Sequence, residues 1–166
     1  TALEMLDSTP LLAVEQPARV PLLGLLNATD ADTMHTEFEK LLADGFRTVK
    51  VKVGFDAKAD AQWVRTVQTV VAGRAKIRID ANQGYSADGG VDFVRRITPQ
   101  DIELFEQPCA AGDWNSHMAV VRASPVPMML DESIYGLADI DRAASLKAAA
   151  YIKVKLMKLV TLDALV

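Results

Sequence analysis

Lys76-Ile77-Arg78-Ile79-Asp80-Ala81-Asn82-Gln83-Gly84 reads as a strand that runs out onto a carboxylate, an amide and a glycine. Apolar and polar residues alternate up to Asp80, the pattern of a strand with one buried face, and Gly84 marks the turn beyond it. Two other stretches end the same way, Leu104-Phe105-Glu106-Gln107-Pro108 and Met128-Met129-Leu130-Asp131-Glu132-Ser133. Lysine-bearing strands flank the three: Val49-Lys50-Val51-Lys52-Val53-Gly54 comes before them and Tyr151-Ile152-Lys153-Val154-Lys155 after.

Working outward, each of these strands is followed by a helical pattern. Thr1 to Glu15 reads as a short helix, a break at Asp7-Ser8-Thr9-Pro10 and irregular structure, and Pro21–Leu26 as a first buried strand. Thr29-Asp30-Ala31-Asp32 offers capping side chains to a helix that Asp44-Gly45 closes. Strand Thr48–Val53 precedes helix Ala57–Val71, which is expected to bury Trp63, Val64, Val67 and Val71. Strand Ile77–Asp80 precedes helix Val91–Ile97, and strand Ile102–Glu106 a helix near Trp114 to Arg122. Pro127–Asp131 is followed by a helix near Leu137 to Ala148, and Ala150–Lys155 is the sixth strand, with a last helix beginning at Thr161. Six such βα units, with largely apolar strands, predict an α/β fold of parallel strands covered by helices.

The spacing of the polar residues carries the functional argument. From Lys52 to Asp80, Glu106, Asp131 and Lys155 the intervals are 28, 26, 25 and 24 positions, one βα unit each. Every one of them is therefore expected at the same height, the carboxyl end of its strand, where parallel α/β folds bind ligands. Three carboxylates there repel one another without a counter-charge. All-oxygen ligation with no nearby His or Cys favours a hard divalent cation, magnesium first and manganese next. Lys50 and Lys52 share a face because side chains alternate along a strand, and two adjacent ammonium groups beside a metal ion disfavour double protonation, so one lysine could serve as a base. Lys153 and Lys155 repeat the arrangement.

Taken singly, each element has a plainer reading. A Lys-x-Lys is commonly a solvated strand edge, and Asp131 could cap the helix that follows it. Five such coincidences in register are not surface decoration. His35 and His117 fall on predicted helices away from the strand ends. Trp63 reads as helix-to-sheet packing and Trp114 as packing or a site-lining residue, while Cys109 reads as a small, partly buried residue.

The chain has 166 residues, half of them apolar, and a net charge of −4, the profile of a soluble globular domain with one sizeable core. Mild acidity without a run of Lys or Arg argues against nucleic acid or an anionic membrane as partner. The longest apolar runs are far short of the ~18 residues of a membrane span, and no signal-peptide pattern opens the chain. One cysteine builds neither a disulfide nor a cysteine metal site, which fits a cytoplasmic location.

Lys50-Val51-Lys52, Asp80-Ala81-Asn82, Phe105-Glu106-Gln107-Pro108, Asp131-Glu132-Ser133 and Ile152-Lys153-Val154-Lys155 together resemble the motifs of the enolase superfamily. Within it they are similar to the muconate-lactonizing subgroup of muconate cycloisomerases, dipeptide epimerases and o-succinylbenzoate synthases. The resemblance implies a (β/α) barrel, with Asp80, Glu106 and Asp131 as magnesium ligands and Lys52 and Lys155 as opposed acid/base catalysts. Lys50 would tune Lys52, Asn82 would support the site, and Lys153 would support Lys155. The chemistry implied is removal of the proton α to a carboxylate, through an enediolate, on the way to racemisation, epimerisation, cycloisomerisation or syn elimination. The implied partner is a small carboxylate substrate, and a homo-oligomeric full-length parent is expected.

Residues 1–166 are expected to form a single, incomplete (β/α) barrel domain, since the family's N-terminal capping domain and its seventh and eighth strands have no counterpart here. Lys158-Leu159-Val160-Thr161 also lacks the glycine pair that relatives often carry. Six strands cut from a barrel would leave two bare edges. A non-catalytic barrel fragment is the competing reading. An open nucleotide-binding sheet is a weaker one, because Asn27-Ala28-Thr29-Asp30 stands where a glycine-rich phosphate loop would be needed.

Overall fold

The computed structural model describes residues 19–159. Within them six parallel strands form one sheet in the order β1 to β6, each paired with its neighbour in sequence. The strands are β1 (Gly24–Leu25), β2 (Thr48–Lys52), β3 (Lys76–Asp80), β4 (Ile102–Glu106), β5 (Met128–Leu130) and β6 (Tyr151–Ile152). The helices between them are α1 (Ala31–Ala43), α2 (Ala57–Val71), α3 (Ala87–Arg96), α4 (Trp114–Ala123) and α5 (Leu137–Leu146), and a short α6 (Leu156–Leu159) follows β6. No helix among the described residues is long and apolar enough to cross a membrane.

The helices start where side chains can satisfy their free N–H groups. Asp30 accepts from the Asp32 and Thr33 amides, Asp56 from Ala59, Ser86 from Gly89, and Asp113 from Ser116. Because Ser86 caps it, α3 begins four residues before the expected Val91. Its Gly90 lets α4 approach, since a Cβ there would come within 2.7 Å of Val120. At the other end of α5, Lys147 takes a left-handed conformation (φ 52°) that stops the helix short of Ala148.

The sheet has two chemically different faces. Val49, Val51, Ile77, Ile79 and Phe105 are buried among Val64, Val67, Phe93 and Val94 of the helices. Lys50, Lys52, Arg78, Asp80 and Glu106, at alternate positions, are on the opposite face. The middle strands thus alternate as the Lys76–Asp80 pattern does, and are less uniformly apolar than the largely apolar strands read from the sequence. A smaller cluster of Trp114, Leu130, Ile134, Ala143 and Ala148 fills the space under α5.

Both edge strands are shorter than expected. Only Gly24 and Leu25 of the Pro21–Leu26 run are paired, and β6 ends at Ile152 rather than Lys155. Each has a neighbour on one side only among the described residues, and β5 ends at Leu130, so nothing continues the β6 ladder beyond the Lys153 amide. Val20, Leu22 and Leu25 at one edge and Tyr151, Val154 and Met157 at the other are exposed. The expected helices in Thr1–Glu15 and from Thr161 lie outside the described residues.

Candidate active site

The register places Lys52 beside Asp80 and Asp80 beside Glu106. The next step is not level. Glu106 pairs with Met129, so Asp131 lies two residues further along the same face, and Lys155 follows two residues after Lys153. The polar row therefore climbs across the sheet instead of lying at one height as the intervals suggested. Asp80, Glu106 and Asp131 are all essentially buried, at 0, 2 and 2% exposure.

Five lysines compensate these three acids. Lys50 Nζ lies 2.6 Å from Asp80 Oδ2 and 3.0 Å from Glu106 Oε2. Lys52 Nζ lies 2.7 Å from Asp80 Oδ2 and also contacts Asn82 Oδ1. Lys153 spans Glu106 Oε1 at 2.8 Å and Asp131 Oδ2 at 3.4 Å, and Lys155 lies 2.6 Å from Asp131 Oδ2. Lys158, absent from the sequence-based set, bonds Asp131 Oδ1 at 2.9 Å and its carbonyl, and sits over the Tyr135 ring. Burial opposes ionisation of Asp80, but hydrogen bonds from Lys50 and Lys52 outweigh it and hold the carboxyl below its usual value. Asp131 is lowered in the same way, against burial, by Lys155 and Lys158. Burial works against the Lys153 cation, yet its bond to Glu106 raises its pKa, so it stays charged at neutral pH.

Lys50 and Lys153 each bridge two carboxylates, so Asp80 with Glu106, and Glu106 with Asp131, already converge on a shared cation. Among the described residues no three acids stand close enough to hold one metal ion together. The donor set nevertheless fits a hard divalent ion: it is all oxygen, buried, and arranged as neighbouring pairs whose present counter-ions are ammonium groups. Asp80, Glu106 and Asp131 are the residues that would hold such an ion, and it would supply the countercharge to their carboxylates.

Two buried knots hold the loops that carry these groups. In the first, Asp60 Oδ2 accepts from the amides of Gly54, Phe55 and Asp56 and from the Tyr85 hydroxyl, fixing the turn after β2. That turn packs on the one after β3 so closely that a Cβ on Gly84 would come within 2.7 Å of the Gly54 Cα. Asn82 (φ 41°) and Gln83 (φ 70°) are both left-handed there, and the Asn82 amide bonds Asp80 Oδ1 at 2.9 Å. Asn82 Nδ2 donates to Glu132 Oε1 at 3.0 Å, linking the β3 and β5 turns.

The second knot is Gln107, Ser133 and His117. Contrary to expectation, the His117 ring is not remote from the strand ends: it lies fully buried, 3.2 Å from both Gln107 Nε2 and Ser133 Oγ. The Ala110 carbonyl, 3.1 Å from Nε2, can only accept, which puts the proton on Nε2 and leaves Nδ1 a lone pair without a partner among the described residues. Burial lowers the His117 pKa and keeps the ring neutral. Trp114 is core, with the Arg142 guanidinium 4.9 Å above its ring, and Trp63 is half-buried packing on α2. Cys109 is buried, and burial, then Asp113, pushes its thiol up to about 11. A glutamine directly after a strand-end acid and a lysine three residues past Lys155 were the available signals for Gln107 and Lys158.

The family described as enolase C-terminal domain-like matches residues 33–164, and the chain belongs to it. The chain is 37% identical to the L-Ala-D/L-Glu epimerase of Thermotoga maritima, over 78% of its own length and 38% of the epimerase. It superposes on the muconate cycloisomerase of Pseudomonas fluorescens with a TM-score of 0.77 at 26% identity, covering 83% of this chain and 39% of that one. The fold is also that of the dipeptide epimerase of Cytophaga hutchinsonii in complex with Mg and the dipeptide D-Ala-L-Val (TM-score 0.80, 23% identity, 87% of this chain and 39% of that one). The chain thus spans under two-fifths of the length of these relatives.

Proposed function

We propose that the protein built on this domain is a magnesium-dependent isomerase that removes and returns the proton α to a carboxylate, epimerising a dipeptide or an N-acylated amino acid. The supporting observation is the order of the row: Lys52 at one end, the three buried acids between, and Lys155 at the other. Asp80, Glu106 and Asp131 would hold the ion. When bound, it would neutralise negative charge developing on the substrate carboxylate.

The chain's own groups do the rest. Lys52 takes the proton from one face of the α-carbon and Lys155 delivers one to the other, or the reverse for the opposite enantiomer. Lys50 and Lys153, inside the row, hold charge rather than move protons. With the abstracting lysine neutral, the other four lysines against three acids still leave the row net positive, which draws in an anionic substrate. The epimerase relative favours this reading; likeness to a muconate cycloisomerase keeps cycloisomerisation as a second, with one lysine as a charge partner only.

The test is exchange in deuterated water: magnesium plus a panel of dipeptides and N-acylamino acids, with the α-proton followed by NMR. Loss of the α-proton signal with inversion supports epimerisation. An intact full-length protein that exchanges no substrate of the panel sinks the proposal.

A further inference from the structure

The strand ladder between β4 and β5 is only two residue pairs long, and β5 stops at Leu130. Asp131 is thus the first residue beyond its strand, where no backbone acceptor of β4 reaches its amide. A side chain supplies one. Gln107 Oε1 accepts from the Asp131 amide at 2.9 Å and from the Ser133 amide at 3.2 Å. Its Nε2 donates to Ser133 Oγ at 2.7 Å and to the Cys109 carbonyl at 3.1 Å. Two amides that can only donate fix which end of the side chain is oxygen.

The backbone of the same residue completes the tie. The Gln107 amide donates to the Met129 carbonyl at 2.9 Å, and its carbonyl accepts from the Gln83 amide at 2.8 Å. Gln107 therefore lies in the turn after β4 and touches those after β3 and β5, each next to or carrying one acid of the row. It does so fully buried and in a left-handed conformation (φ 39°), which costs a non-glycine residue about 1 kcal/mol and persists only where surroundings impose it.

We propose that Gln107 is a positioning residue that extends the β4–β5 ladder by one rung and so sets Asp131 against Glu106 for a shared divalent cation. This rests on the metal reading above. Groups that orient ligands from behind typically alter metal affinity about 10- to 100-fold when removed.

The experiment titrates Mn²⁺ by calorimetry and electron paramagnetic resonance into the wild type, Gln107→Leu, Gln107→Glu and Gln68→Leu, and measures metal-free amide exchange at Asp131 and Ser133 by NMR. Gln68 is the control: it is a buried glutamine that ties α2 to the Thr98 and Gln100 carbonyls before β4, at the far end of the strands. Gln107→Leu is expected to unprotect both amides and weaken Mn²⁺ binding about 10- to 100-fold. Gln107→Glu, which keeps acceptors for both amides, retains their protection, and Gln68→Leu lowers the melting temperature without changing Mn²⁺ affinity. Unchanged amide protection or unchanged Mn²⁺ affinity in a folded Gln107→Leu overturns the proposal, as does an equal loss of affinity in Gln68→Leu. A wild type that binds no Mn²⁺ overturns the metal reading and the cation role with it, while the exchange data still report whether the tie exists.

Discussion

The two Lys-x-Lys pairs look alike in sequence and are built differently. Lys50 lies where a five-residue strand is paired on both sides and is sealed in at 7% exposure between Asp80 and Glu106, while Lys52, at the end of that strand, pairs only with Asp80 and has a side chain 49% exposed. Lys153 and Lys155 come after a two-residue strand that is paired on one side among the described residues, with side chains 35 and 36% exposed. Lys50 is held by its backbone as well as by its ion pairs. The second pair is held by its ion pairs with Glu106 and Asp131, helped by Lys158. The same dipeptide pattern thus yields a sealed inner lysine at one end of the acid row and a part-exposed one at the other, and among the described residues the difference follows how many strands flank it.

The sharpest way to probe that asymmetry is to remove the outer lysine at each end. Lys52→Ala and Lys155→Ala are each expected to slow epimerisation about 10²- to 10⁴-fold. Each variant should still exchange the α-proton of the one enantiomer that faces its remaining lysine, read by NMR in deuterated water. Equal loss of exchange for both enantiomers in either variant would break the assignment of opposite faces.

Removing the inner lysines should separate the ends by stability. Lys50→Met strips a buried partner from two carboxylates and is expected to cost about 3 kcal/mol. Lys153→Met, a third exposed, should cost about 1 kcal/mol or less. Urea unfolding of both variants gives the comparison, and equal losses would show that the second pair is as firmly built as the first.

Gly84→Ala tests the backbone contact behind the Lys50–Lys52 end. The added Cβ drives into the Gly54 backbone, which is not a flexible neighbour, so a loss of about 2 kcal/mol is expected from the same unfolding measurement. A neutral result would mean that the two turns separate freely.

The smallest effect concerns His117, beneath the turn that carries Asp131. Its folded pKa is lowered, so below the ordinary histidine value of about 6.5 the unfolded chain takes up a proton that the folded one resists. Stability conferred by the neutral ring is full above that value and declines as pH falls from it toward the folded pKa, by at most about 1.4 kcal/mol per pH unit. Asp113, the nearby charge, works against the shift without reversing it. Unfolding midpoints from pH 7.5 to 5 should fall less steeply in His117→Gln than in the wild type, and parallel slopes would refute a neutral buried ring.

Asp80, Glu106 and Asp131 were legible because acids at three strand ends, each one βα unit from the next, are seldom surface decoration, and the six units followed from the same periodicity. Sequence alone determined the order of strands and helices, the shared face of Lys50 and Lys52, and the three acids at or just past neighbouring strand ends, because alternation and spacing are local properties of the chain. Register, the upward step to Asp131, the early end of β6, the arrival of Lys158, and the knot of Gln107, Ser133 and His117 were decided only by tertiary structure. Each depends on which groups from distant segments find a partner when the ladder stops, and that is settled by the packed neighbours rather than by any residue's own pattern.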